Sequence, residues 1–231
     1  VVHDGASAGG TPLMRESGSN AASTVGIGVG GANKLTINSD GHIDIASNLD
    51  CAAGLDVTGA ITGTTNATIN GVSVGKGANS VAGNTVLGNA ALDAAVTGGD
   101  NTAIGSAALT ANTSGANNTA VGSTALDVNT TGGSNVGIGK SALGGNTTGG
   151  QNTSVGHGSL LSNTTANNNT AVGYLALNLN TTGTNNVAVG SGALDANTTA
   201  AKNTAIGYQS LSANNTGSDN TGLGAFALLV N

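Results

Sequence analysis

The chain has 231 residues, a formal net charge of −6 and a sequence pI of about 4.5. Glycine supplies 40 residues and charged residues only 7%, against roughly 7% Gly and about 25% charged residues in an ordinary globular domain. Aromatics are 1%, so a thick conventional core is excluded, because burial scales with apolar area.

The five basic residues (Arg15, Lys34, Lys76, Lys140 and Lys202) are scattered along the chain. With the acidic balance, this argues against nucleic acid and anionic membrane surfaces as partners. No apolar run is long enough for membrane insertion. The hydrophobic content of 38% and modest net charge argue against disorder. The single Cys51 leaves no intrachain disulfide framework and reads as a small buried hydrophobe. The chain begins without Met and is read as a mature fragment or part of a longer chain.

In chain order, the first predicted element is a hairpin. KLTINSDGHIDIAS, residues 34–47, alternates apolar and polar positions around Asp40-Gly41. Short β-rich runs separated by Gly and Asn follow, in NLDCAAGLDVTGAITG (48–63) and NATINGVSVGKG (66–77). Residues 1–83 are therefore expected to form a β-rich stalk or shoulder.

From residue 84 the chain repeats itself. Asn84, Asn101, Asn118, Asn135, Asn152, Asn169, Asn186, Asn203 and Asn220 are spaced by 17 residues with no insertion, which makes 84–231 eight full repeats and a partial ninth. Four positions after each Asn stands Gly (Gly88, Gly105, Gly122, Gly139, Gly156, Gly173, Gly190, Gly207, Gly224), and eight after stands Leu. A second Asn follows at eleven, with Ala95 the exception.

A β-branched or leucine side chain precedes each Gly, from Leu87 to Leu223, so each copy offers one short strand. The expected fold is all-β: a parallel β-solenoid or β-roll of 17-residue rungs, stacked at about 4.8 Å. The Val/Ile/Leu column is expected to run down the inside, and the Asn columns to stand at αL corners with amides bonding along the stack. The residue two before the Gly is small in nearly every copy (Ala103, Ala120, Gly137 and so on) and lies on the opposite strand face. With the Gly it forms a bare strip, which turn geometry or close packing of another backbone explains. The second half of each repeat, with Ala or Ser next to Leu, reads equally as a strand or a helical turn. A narrow coil with apolar or bare positions on more than one side suggests several chains packed together, intertwined or side by side.

The NTAVGxxALxxNTTGxxN phrase of 84–231 resembles the repeat arrays of bacteriophage tail-fibre proteins and related bacterial surface proteins. NxAVG is also similar to the β-roll repeats in the heads of trimeric autotransporter adhesins, whose rungs are usually shorter. LTINSDGHIDIASNLDCAAGLDVTGAITG and INGVSVGKG resemble the stretches that precede such arrays in phage fibres. The resemblance implies a homotrimeric fibre in a virion. Its partners would be other virion tail proteins and a host cell-surface glycan or protein. The alternative location is a bacterial cell surface, as an adhesin or extracellular filament subunit. An intramolecular chaperone domain often follows such arrays; none is legible here, so it was cleaved or lies outside this chain.

Chemistry is sparse. His3, His42 and His157 have no acidic or Cys partner at metal-ligand spacing. The Asp column of a calcium-binding β-roll is missing, and no cofactor motif is present; Gly137–Gly139 is a repeat variant. Asp93, Asp127, Asp195 and Asp219 never fall in adjacent rungs of one column, so no paired-carboxylate site and no enzymatic activity is expected. The N-T-T sites read as corner residues. The most variable position follows the Gly, and there Lys140, His157, Tyr174 and Tyr208 are the candidate ligand-facing residues. An ice-binding solenoid is a further reading, because the position after the leading Asn is Thr in all copies except Val136 and Val187. Sharing a strand face with the Val column, that Thr is expected to point inward or to a corner.

Overall fold

The structure, a computed structural model, describes residues 13–17, 24–29, 32–37, 43–45, 66–69 and 71–229. Two compact units divide the chain, Val1–Ile61 and Thr62–Asn231. The first holds β1 (Leu13–Ser17), β2 (Thr24–Val29), β3 (Ala32–Ile37) and β4 (Ile43–Ile45) in an antiparallel sheet of that order. Ile37 pairs with Ile43, so the expected hairpin is formed with Asp40-Gly41 between its strands. A β-bulge interrupts β2 against β3 at Ile27/Gly28. The run at 48–63, Cys51, His3 and His42 lie outside the described residues.

The second unit is an all-β parallel solenoid of about eight turns with 17-residue rungs. It opens with an antiparallel hairpin, β5 (Ala67–Ile69) and β6 (Val72–Gly75). β6 then pairs antiparallel with β7 (Thr85–Gly88). From β7 every pairing is parallel, through β8 (Thr102–Ile104), β9 (Thr119–Val121), β10 (Val136–Ile138), β11 (Thr153–Val155), β12 (Thr170–Val172), β13 (Val187–Val189), β14 (Thr204–Ile206) and β15 (Thr221–Leu223). The register is one full repeat at each step: Thr119 meets Thr102 and Val121 meets Ile104. The hairpin caps the first rung. Asn66 Oδ1 accepts the Lys76 and Gly77 N–H groups, and Ala78 N–H donates to Leu92 O at 3.0 Å.

The strand faces are the reverse of the sequence expectation. The small middle residue points inward: Ala103, Ala120, Ser154, Ala171, Ala188 and Ala205 are fully buried. The Val/Ile/Leu residue and the Thr two before it point outward, with Leu87, Ile138 and Ile206 exposed. Space inside the coil decides this. Each rung already encloses a Leu and an Ala or Ser from its second half, such as Ala125 and Leu126 at 0% exposure. A Cβ added at Gly137 would sit 3.3 Å from Leu126 Cδ1 and 3.1 Å from Ala142 O. A β-branched side chain there would overpack the rung. The bare strip is thus interior lining, and the backbone that approaches each glycine is the next rung of the same chain.

The column at Gly122 combines both explanations offered for it. Its φ is 136°, and an added Cβ would meet the Gly139 carbonyl oxygen at 2.5 Å. Only glycine serves, by conformation and by space.

The second half of each rung is neither strand nor helix. It is a chain of turns in which the Leu itself takes a left-handed φ, 52° at Leu126 and 54° at Leu143. Asn129 N–H donates back to Leu126 O at 3.1 Å, closing the turn. This conformation costs about 1–2 kcal/mol per non-glycine residue. Burial of the Leu offsets it, at about 1.5–3 kcal/mol for a side chain taken fully out of water. From Leu92 to Leu211 the column is 0% exposed, whereas Leu228 in the last rung is 45% exposed.

The asparagines bond along the stack as expected, but from the interior rather than from αL corners. The left-handed corner residue is the one before, such as Asn117, Ser134 or Lys202. Asn118 N–H donates to Asn101 Oδ1 at 2.9 Å, and its Nδ2 donates to Gly132 O at 2.9 Å. In the second ladder Asn129 Nδ2 donates to Asn112 Oδ1 and to the same Gly132 O, both at 3.0 Å. From Gly115 to Ala200 the two amide ladders therefore converge on one carbonyl in each rung. In the first rung Ala95 is exposed and Val96 is buried, so the second ladder starts at Asn112. At the other end Asn197 Oδ1 and Asn203 Nδ2 have no hydrogen-bond partner.

Truncating a mid-ladder amide removes bonds on both sides. Asn146→Ala takes the side-chain donor from buried Asn129 Oδ1 and leaves Asn163 Nδ2 with only its bond to Ala166 O, and is expected to cost about 2–4 kcal/mol. Gly173→Ala, at φ 138° and facing the Gly190 carbonyl, is expected to cost at least about 2 kcal/mol. Urea unfolding followed by circular dichroism measures both; losses under about 0.5 kcal/mol would contradict the ladder and close-approach assignments.

Candidate functional site: the outer faces of the coil

With Leu, Asn and the small residues inside, everything variable is outside. Two outward surfaces stand out. The first is the sheet face of β7 to β15, carrying a Thr column (Thr85, Thr102, Thr119, Thr153, Thr170, Thr204, Thr221, with Val136 and Val187 in line) beside the Val/Ile/Leu column. Parallel pairing in exact one-repeat register stacks like on like along the sheet. The result is a regular, partly apolar surface nine strands long.

The second is the column after each Gly. As expected it faces solvent, and Lys140, His157, Tyr174 and Tyr208 are all exposed. Successive members are held by the backbone: Gly158 N–H donates to Lys140 O and Leu175 N–H to His157 O, both at 3.0 Å. His157 and Tyr174 are brought together as a stacked pair, ring centroids 5.5 Å apart and planes 17° apart. Tyr208 stands two rungs beyond Tyr174, about 10 Å away by rung spacing. It meets Phe226 edge-on at 5.2 Å. Phe226 was not singled out from the sequence. It is the only Phe of the chain and lies one position past the column, where the turn swings its ring over Tyr208. Lys140 lies one rung from His157.

The ladder residues Asn101, Asn118, Asn135, Asn152, Asn169, Asn186 and Asn203 are buried, and Gly105, Gly122, Gly139, Gly156, Gly173, Gly190 and Gly207 are half-buried, each with its backbone close against the next rung. These residues hold the frame and leave ligand contact to the outer columns. One rung carries a paired polar change inside: Ser154 and Ser159 replace two alanines, and Ser154 Oγ donates to Ser159 O at 2.8 Å. Each hydroxyl satisfies the other, so the two substitutions depend on one another.

Asp93, Asp127 and Asp195 occupy one column, Asp93 and Asp127 two rungs apart, about 10 Å, and Asp127 and Asp195 four rungs apart, about 19 Å. Desolvation raises the pKa of Asp127 and of Asp195 above the ordinary 3.8, against lowering by backbone hydrogen bonds at Asp127–Val128 and Asp195–Ala196. No group of three or more His, Cys, Asp or Glu among the described residues is placed to hold a metal ion. No helix among the described residues is long and apolar enough to cross a membrane.

A raised carboxyl pKa means the folded chain holds its proton more tightly than the unfolded chain. The protonated form therefore contributes stability below about pH 3.8 that is lost as pH rises through the folded value. Asp127→Asn is accordingly expected to be more stable than the parent at pH 7 and to lose that advantage below about pH 3.8. Urea midpoints across pH 3–7 measure this; an Asn variant less stable at neutral pH would reverse the sign.

Compared with protein-family models, with curated proteins and with solved structures, the chain gives no match.

Proposed function

We propose that this chain is a non-enzymatic structural and adhesive fibre: the rigid shaft of a homotrimer, in a phage tail fibre that meets a host surface. The observation that carries the reading is the outward Val/Ile/Leu column. Ile138 at 39% exposure and Ile206 at 40% belong to a stripe of outward Val, Ile and Leu side chains on one sheet face, half-buried at Val121, Val155, Val172 and Val189. A stripe repeated on every rung is a large apolar surface, and such surfaces mark protein–protein contact. Three copies packed through this face would cover it, leaving the variable columns of all three outside. Repeated rungs on three chains would then multiply weak contacts with a surface. A bacterial adhesin or extracellular filament subunit would use the same arrangement.

The same face supports a second reading. Because Thr points outward, a regular array of Thr beside Val/Ile is open to solvent, one Thr per rung where the arrays that ice binding favours carry two. One face cannot be buried between chains and bind ice as well, so oligomeric state separates the two.

Light scattering of the native protein, with electrophoresis in SDS before and after boiling, is the deciding measurement. The expected particle is three times 21.6 kDa and survives unboiled SDS. Val121→Lys with Val172→Lys is expected to release folded monomers, since both side chains point out of the coil. A monomeric parent that gives thermal hysteresis in dilute solution would replace the fibre with the ice-binding solenoid.

A further inference from the structure

The geometry points to a saccharide-binding notch on the outer column, between Tyr174 and Tyr208, that takes one neutral pyranose ring of a surface glycan. It names a ligand class for the attachment reading above and rests on that reading.

Three consecutive rungs place Tyr174, Ser191 and Tyr208 in one column. Gly192 N–H donates to Tyr174 O, and Gln209 N–H to Ser191 O, each at 3.0 Å, so the backbone fixes their order and spacing. The sequence cuts the gap. Tyr174-Leu175 and Tyr208-Gln209 are bulky, and Ser191-Gly192 between them is small. The gap is two rung spacings, about 10 Å. A pyranose ring, in van der Waals contact at about 3.5–4.0 Å with a side chain on either side, suits that spacing.

Each wall is braced from the side away from the notch. His157 stacks on Tyr174 from the preceding rung, and Phe226 meets Tyr208 from the following one. Despite these partners Tyr174 is 56% and Tyr208 50% exposed. Aromatic walls held in place cost little ordering on binding.

The floor is polar. A Cβ added at Gly192 would sit 3.3 Å from Gln209 Cγ and 3.7 Å from Asp195 Oδ2. The Asp195 carboxylate, an acceptor, and the Gln209 side chain, whose amide both donates and accepts, thus lie beside Gly192. Such groups suit the hydroxyls of a sugar. The negative charge of Asp195 favours a neutral sugar over an anionic one.

The test uses the full chain and saturation-transfer NMR with methyl glycosides of glucose, galactose and mannose, and with N-acetylneuraminic acid as the anionic probe. Transfer to the ring protons of at least one neutral glycoside is expected, with little to the anionic sugar. Tyr174→Ala and Tyr208→Ala are each expected to weaken binding about tenfold. Ser191→Tyr fills the notch with a residue that this column already holds in two rungs, so it should abolish binding while the circular dichroism melt stays unchanged. No transfer from any neutral glycoside, or undiminished binding in the Ser191→Tyr variant, overturns the notch. Light scattering of the same sample separates the two proposals: a three-chain particle without sugar binding overturns only the notch, and a monomer that binds sugar overturns only the fibre.

Discussion

The structure depends on one constraint: each rung must lie one repeat, and one strand spacing of about 4.8 Å, from the next along the whole array. Backbone hydrogen bonds carry this register from strand to strand and through the turns. The constraint reaches the side chains through the two Asn ladders, whose amides bond to the rung before, the rung after and a shared carbonyl such as Gly132 O. A buried amide with no partner is costly, so a ladder tolerates no slip of register. It also explains a core that is half polar. In a coil this narrow, Asn is as good an interior residue as Leu when the next Asn satisfies it.

The same closeness sets the glycines and the small residues. At Gly122 the carbonyl of the following rung occupies the place a side chain would need. Ala120, Ala125 and Leu126 are fully buried, and a Cβ at Gly137 would already stand 3.3 Å from Leu126 Cδ1. With its interior filled by one Leu, two small residues and two Asn, the rung has no place for its Val or Ile. The most β-prone side chains of the repeat are therefore pushed outside, and the coil acquires a regular partly apolar face. The functional proposals follow from that displacement. A face of stacked Thr and Val is either covered by other copies or presented to an ordered surface, while variation is confined to columns where a side chain touches solvent.

The aromatic residues show how an invariant frame makes a local site. Tyr174 and Tyr208 belong to the same column, so the frame alone determines that they stand two rungs apart. What fills the rung between them, Ser191-Gly192, turns two separate rings into the walls of a gap. Asp195 and Gln209 reach its floor from different rungs, a meeting that the linear order of residues conceals.

The 17-residue period, the conserved Gly, Leu and Asn columns and the β-branched strand residue were enough to read a parallel β-solenoid, its rungs and the solvent-facing column with Lys140, His157, Tyr174 and Tyr208. Periodicity reports these because every rung meets the same environment. Which strand face points inward was not legible. Alternation separates Thr and Val from Ala, but it assigns an inside only when the volume of the interior is known. That volume depends on where the turns place Leu126 and its equivalents, in a left-handed conformation that a leucine does not advertise. The pairing of His157 with Tyr174, the ring of Phe226 over Tyr208 and the convergence of Asp195 and Gln209 beside Gly192 belong likewise to the tertiary structure. They arise from side chains in different rungs, and only the packing of the rungs brings those together.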